Sequence, residues 1–209
     1  MMSNTQAAPT VFVVDDDPSI LQGVARLLRA SGYQARTFAS PIPLLEEQQS
    51  FAPDCIVMDV SMPDLNGLQV QSAMTEAGRN ASIVFMTGQS DVPTSVRAMK
   101  AGAVDFLTKP FDEGTLLAAV RAAVDKGRAT RSFQAARADT QAKLATLTKR
   151  EREVMRGVVA GRLNKRIAAE LGIAEKTVKV HRQRVMEKMQ VETLADLVRC
   201  AYESELTTS

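Results

Sequence analysis

Four short apolar runs in this sequence end in residues able to do chemistry. Val11-Phe12-Val13-Val14 is followed by Asp15, Asp16 and Asp17, and Cys55-Ile56-Val57-Met58 runs into Asp59. Ile83-Val84-Phe85-Met86 ends in Thr87-Gly88, and Asp105-Phe106-Leu107-Thr108 ends in Lys109-Pro110. Pro63, Asn66 and Gly67 force a loop soon after Asp59, which predicts that its carboxylate stands at the carboxyl end of a buried strand. Open α/β sheets hold their chemistry at such ends. If the four strands are parallel neighbours, one rim collects several carboxylates, a hydroxyl and an ammonium. Crowded carboxylates repel, so the cluster calls for a cation. Each residue also has a plain structural reading: Asp59 as a strand-end acceptor for its loop, Thr87 as a hydroxyl capping its own backbone, Phe106 as core.

The elements that would position these residues follow from periodicity. Apolar runs that are continuous rather than alternating suit a sheet covered on both faces. Between them lie helical patterns: Ile20, Val24, Leu27 and Leu28 before Gly32; Leu44 and Leu45 near Pro41; residues 68–77 before Gly78; residues 92–101 before Gly102. A last helix is predicted from Glu113 to near Lys126, with Leu116, Leu117, Val120, Ala123 and Val124 inward. With a further strand over Tyr33 to Phe38, five strand-helix repeats predict an α/β doubly wound, five-stranded parallel sheet in a flavodoxin-like order.

Beyond Lys126 the character of the chain changes. Residues 1–125 hold eight Lys and Arg against fourteen Asp and Glu, a net of −6, whereas residues 126–209 hold eighteen against ten, a net of +8. A basic second half suits a polyanionic partner, although a solvated basic face would look the same. Residues 127–144 are rich in Ala, Arg, Gln and Thr and read as a connecting helix, with a disordered linker as the alternative. From Thr148 to Ser209 no strand is predicted. Thr148 and Glu151 form a capping-box pattern ahead of Val154, Val158 and Val159. A second helix over 164–171, a turn at Gly172, a third helix to Met189 and a fourth over 193–203 give an all-α, four-helix unit with the layout of a helix-turn-helix.

In composition, 45% apolar and 24% charged residues describe an ordinary soluble globular chain, with no run long enough to span a bilayer. The polar N-terminal tail over residues 1–9 lacks a secretion pattern, so a cytoplasmic protein without membrane contact is expected. Cys55 and Cys200 are too distant in sequence for a metal site or a disulfide framework and are predicted core residues.

These motifs together resemble a two-component response regulator of the FixJ/NarL type: a receiver domain (10–126), a linker (127–144) and a LuxR-type helix-turn-helix domain (145–209). The receiver resemblance rests on Val14-Asp15-Asp16, Met58-Asp59 with Met62-Pro63 and Gly67, Thr87-Gly88, and Ala101 through Phe111. The second rests on Leu147 through Val154, Asn164 through Ala168, and Lys176 through His181. The resemblance implies that Asp59 accepts a phosphoryl group from a sensor histidine kinase. It implies that Asp15, Asp16, Asp59 and the backbone carbonyl of Ser61 hold Mg2+, that Lys109 pairs with a phosphoryl oxygen, and that Thr87 and Phe106 form a switch. Asp17 and Asp64 are left as surface or capping acids. Activation would bring about a homodimer through the fourth helix and fifth strand, with a second contact along the last helix at Leu194, Leu197, Val198 and Ala201.

Double-stranded promoter DNA is the expected target, with RNA polymerase as a further partner. Lys176, Lys179, Val180, His181, Gln183 and Arg184 are expected at the major groove, with helix packing as the plain alternative for His181; Arg150, Lys165, Thr177 and Arg182 are expected at phosphates, and Asn164 also at the DNA. The absence of Trp and the presence of two Tyr argue against stacking on single strands. Two other readings remain open at this point. One is a magnesium-dependent phosphatase, which lacks a second carboxylate after Asp59 to act as general acid; the other is a scaffold that never takes phosphate. No turnover enzyme is expected.

Overall fold

The computed structural model describes residues 8–47, 52–79, 81–88 and 92–205. Residues 1–7 of the expected tail lie outside them. The chain divides into two compact units, Met1–Thr130 and Arg131–Ser209.

The first unit alternates strand and helix: β1 (Thr10–Val14), α1 (Pro18–Ala30), β2 (Gln34–Phe38), α2 (Pro41–Glu47), β3 (Cys55–Asp59), α3 (Gly67–Glu76), β4 (Ile83–Thr87), α4 (Val92–Lys100) and β5 (Asp105–Thr108). α5 (Glu113–Ala145) follows. All strand pairs are parallel, in the order β2-β1-β3-β4-β5. This is the flavodoxin-like order that the repeats predict. Successive strand residues face opposite layers: Val11, Val13, Cys55 and Val57 pack with α1 and α5 through Leu28, Leu116 and Val120. Phe12, Val14, Ile56 and Met58 pack with Leu44 of α2, Val70 and Met74 of α3 and Ala98 of α4. A sheet buried on both faces explains why its strands read as unbroken apolar runs.

The helix expected to stop near Lys126 runs on to Ala145. Nothing between Glu113 and Ala145 breaks it, since the span contains no proline and is rich in strong helix formers. Gly127, which the sequence offers as a boundary, has a different job: a Cβ there would stand 2.4 Å from the backbone oxygen of Asp54. It is a point of close approach, not a stop.

The second unit holds α6 (Lys149–Val159), α7 (Asn164–Leu171), α8 (Glu175–Met189) and α9 (Leu194–Glu205). Thr148 and Glu151 make the predicted capping box at α6. Gly172 ends α7 in the left-handed region at φ 65°, which turns the chain into α8. Val154, Val158, Ile167, Val178, Val185 and Met189 fill the core together with Leu197 and Ala201. The last two correct the expected contact along α9: at 1% and 8% exposure they face inward, so of that set only Leu194 is an exposed apolar residue. Cys55 is buried and Cys200 half-buried against this core.

Candidate functional site

The parallel register brings the strand ends level. Val14 pairs with Met58, Asp59 with Met86, and Thr87 with Thr108. Asp15, Asp59, Thr87 and Lys109 therefore share one rim. The strand order reverses direction between β1 and β3, and there Asp15 and Asp59 stand on either side of the crevice.

Within it, Lys109 Nζ donates to Asp15 Oδ2 at 2.6 Å and to Asp59 Oδ1 at 2.7 Å. The other carboxylate oxygens are also held: Asp59 Oδ2 accepts from the Ser61 N–H at 2.6 Å, and Asp15 Oδ1 from the Asp17 N–H at 2.9 Å. Asp15 is 1% exposed, Thr87 3% and Asp59 5%. Burial pulls the Lys109 ammonium down, but its hydrogen bonds to Asp15 and Asp59, with the charge of both carboxylates, outweigh that, and its pKa lies above the ordinary lysine value. Lys109 is set in place by its own backbone, whose N–H donates to the Thr87 carbonyl at 2.7 Å, and the peptide to Pro110 is cis.

The loop after Asp59 is shaped by space as much as by turn chemistry. A Cβ on Gly67 would meet the Asp59 carbonyl oxygen at 2.7 Å and the Phe85 ring at 2.8 Å, so only glycine lets α3 start here. Asn66 and Gln69 form a capping box for that helix, a pattern visible in the sequence as Asn-x-x-Gln but overlooked there. Asp17 caps α1 by accepting from the Ser19 N–H. Asp16 points into solvent, as do Ser61 and Asp64. Phe106 is half-buried, its ring 6.3 Å from that of Phe85.

On the second unit, Lys176, Thr177, Lys179, Val180, Gln183 and Arg184 are exposed along α8, as is Lys165 on α7. His181 and Arg182 are half-buried; His181 Nδ1 lies buried without a hydrogen-bond partner. Arg182 Nη1 donates to Asn164 Oδ1 at 2.7 Å, which ties α8 to the start of α7. Arg150 is engaged inside the unit: it pairs with Glu153 at 2.8 Å and donates to the Leu171 carbonyl at 3.1 Å, across the end of α7. Glu151 accepts from Lys188 Nζ at 2.7 Å and from the Thr148 N–H at 2.8 Å, and these bonds, led by that from Lys188, hold its carboxyl down at about 2.

A doubly wound sheet with two buried carboxylates and a lysine at its switch point, in a chain that also carries a basic helix-turn-helix, defines a class: a receiver with a DNA-reading module. The comparisons with known proteins agree. The family described as "Response regulator receiver domain" matches residues 11–121, and that described as "Bacterial regulatory proteins, luxR family" matches residues 145–201. The response regulator protein TodT of Pseudomonas putida is 41% identical over 192 residues, 92% of this chain and 85% of that protein. The transcriptional regulatory protein FixJ of Azorhizobium caulinodans is 40% identical over 191 residues, 91% of this chain and 90% of that one. Among solved structures, the response regulator StyR superposes with a TM-score of 0.85 at 41% identity, covering 94% of this chain and 100% of that one. The chain belongs to the response-regulator family, as a two-component transcriptional regulator with a LuxR-type DNA-binding domain. Among the described residues no helix is long and apolar enough to cross a membrane.

Proposed function

We propose that Asp59 is the residue phosphorylated by a partner histidine kinase and that α8 reads duplex promoter DNA once the receiver, over residues 10–126, has dimerised. The observation that carries this is the pair of buried carboxylates bridged by Lys109 at the switch point. The Ser61 N–H holds one oxygen of Asp59, which leaves the carboxylate aimed for attack on phosphorus. The bond from phosphorus to the kinase imidazole breaks as the bond to the Asp59 oxygen forms, and the imidazole leaves with the electron pair. Lys109 then moves from carboxylate to a phosphoryl oxygen, exchanging one anion for another.

Receivers as a family use Mg2+, and the donor set here is of hard oxygens only. Among the described residues no three His, Cys, Asp or Glu side chains converge to hold a metal alone. Mg2+ keeps several waters and takes few protein ligands. Asp15, exposed Asp16, Asp59 and the Ser61 carbonyl are the groups that would hold it. Its charge, when bound, offsets the repulsion between the carboxylate and the incoming phosphoryl oxygens.

Thr87 would swing its hydroxyl toward the new phosphoryl group, vacating space for Phe106, and so change the face made by α4 and β5. Val96 and Met99, 45% and 46% exposed on α4, give that face apolar anchors for a second copy. A dimer would present two α8 helices to half-sites one helical turn apart or a multiple of it, and meet RNA polymerase there. The cytoplasm is the compartment in which such a chain meets both kinase and promoter.

The test is labelling of the full chain with acetyl phosphate and Mg2+. The native chain is expected to gain one acid-stable, base-labile phosphoryl group and Asp59→Asn none, with the same fold by circular dichroism. Equal labelling of the variant would overturn the assignment, and steady release of phosphate from esters would favour a hydrolase instead.

A further inference from the structure

The second unit carries a groove that includes none of the residues assigned to DNA. It lies between the last turn of α5, α6 and α9 and has a volume of about 620 Å³, within the rough 300–1,000 Å³ range of ligand sites. Leu144, Met155 and Val159 contribute apolar surface, Tyr202 stands beside them 60% exposed, and Arg152 and Arg156 line the same groove one turn apart on α6. Among the described residues no acidic side chain lines it.

Three features decide what fits. A scattered exposed apolar residue needs no explanation, but Tyr202 is continuous with an apolar floor. Tyrosine and arginine are the side chains that dominate binding energy at protein interfaces. Like charges four residues apart on a helix repel, a small cost that a facing anion would reverse. Arg152 donates to the Ala145 carbonyl only at 3.4 Å, and both arginines are exposed. A phosphate backbone would satisfy the guanidiniums but leave the apolar floor wet.

We propose that this groove docks an acidic amphipathic helix of another protein, which lays apolar residues at i, i+4 and i+7 on Leu144, Met155, Val159 and Tyr202 and sets carboxylates against Arg152 and Arg156. The inference is independent of phosphorylation at Asp59 and of the DNA assignments.

The probe is a fluorescein-labelled 15-residue helical peptide with leucines at those spacings and flanking glutamates, titrated with the full chain and followed by anisotropy. Two control peptides have lysine for glutamate or the same residues scrambled. The glutamate peptide is expected to saturate at one per chain, about tenfold or more tighter than either control. The double variant Arg152→Glu, Arg156→Glu should lose that preference and bind the lysine peptide better. Tyr202→Ser, which alters no charge and no buried group, should weaken the glutamate peptide about tenfold with the thermal midpoint unchanged. Equal binding of all three peptides, or binding unaffected by either variant, would overturn the proposal. So would full displacement of the peptide by duplex DNA, or saturable binding of 2-naphthoate at these residues with no peptide binding.

Discussion

Two carboxylates as buried as Asp15 and Asp59 coexist because Lys109 stands between them. Lys109→Met removes the bridge and leaves both anions in a low-dielectric crevice. The expected loss is about 2–3 kcal/mol, below the usual cost of breaking a fully buried pair because the Lys109 side chain is 20% exposed. Added Mg2+ should raise the thermal midpoint of the variant more than that of the native chain, since the ion replaces a charge the variant lacks. Scanning calorimetry with and without the metal checks this, and equal shifts would mean that the ion does not take over the charge of Lys109. The rim was legible in the sequence because each member closes an apolar run, and a run that stops on a charge marks a strand end. The sharing of Lys109 by both acids was not, since it depends on a strand order that no single run encodes.

At the scale of elements, two contacts between segments carry testable weight. Glu151 and Lys188 join α6 to α8. Because the Glu151 carboxyl is held at about 2 against an ordinary 4.5, its stabilisation is present in full above pH 4.5 and is lost as pH falls toward 2. Glu151→Gln should flatten the acid limb of unfolding of the second unit between those values. Lys188→Met should move the loss to higher pH, and far-ultraviolet circular dichroism against pH would show both.

The two glycines at close approaches differ in what they meet. Gly127→Ala drives a Cβ to 2.4 Å from the fixed backbone oxygen of Asp54, whereas Gly157→Ala meets the Ile167 side chain at 2.8 and 3.0 Å, which can yield. Overpacking costs roughly 1–3 kcal/mol, and alanine regains about 1 kcal/mol of helix propensity. Denaturant titration should therefore find Gly127→Ala clearly destabilised and Gly157→Ala near neutral. Composition made Gly127 look like a boundary, because the reason for it is an oxygen seventy-three residues away. Arg150 has a feature that its charge alone does not show: basic side chains near a helix-turn-helix suggest phosphate, and in the structure this one pairs with Glu153 and donates to the Leu171 carbonyl within the unit.

For the molecule as a whole, the charge partition between an acidic first half and a basic second half sets how DNA binding responds to salt. Lys165→Ala should weaken binding evenly across sequences and reduce the slope of log affinity against log salt by about 1, the signature of one lost phosphate contact. Lys179→Ala should instead relax base preference. Arg150→Ala is expected to lower the stability of the second unit and leave the slope unchanged, because that guanidinium is already engaged; a slope change equal to that of Lys165→Ala would return it to the phosphate set. The Lys109 bridge has a consequence at this scale too. On the proposed use of Mg2+ in phosphoryl uptake, a resting chain that supplies its own counter-ion does not need metal in order to persist, so a magnesium-starved cell would keep a folded, silent stock of regulator, able to answer again as fast as the ion returns rather than as fast as new protein is made.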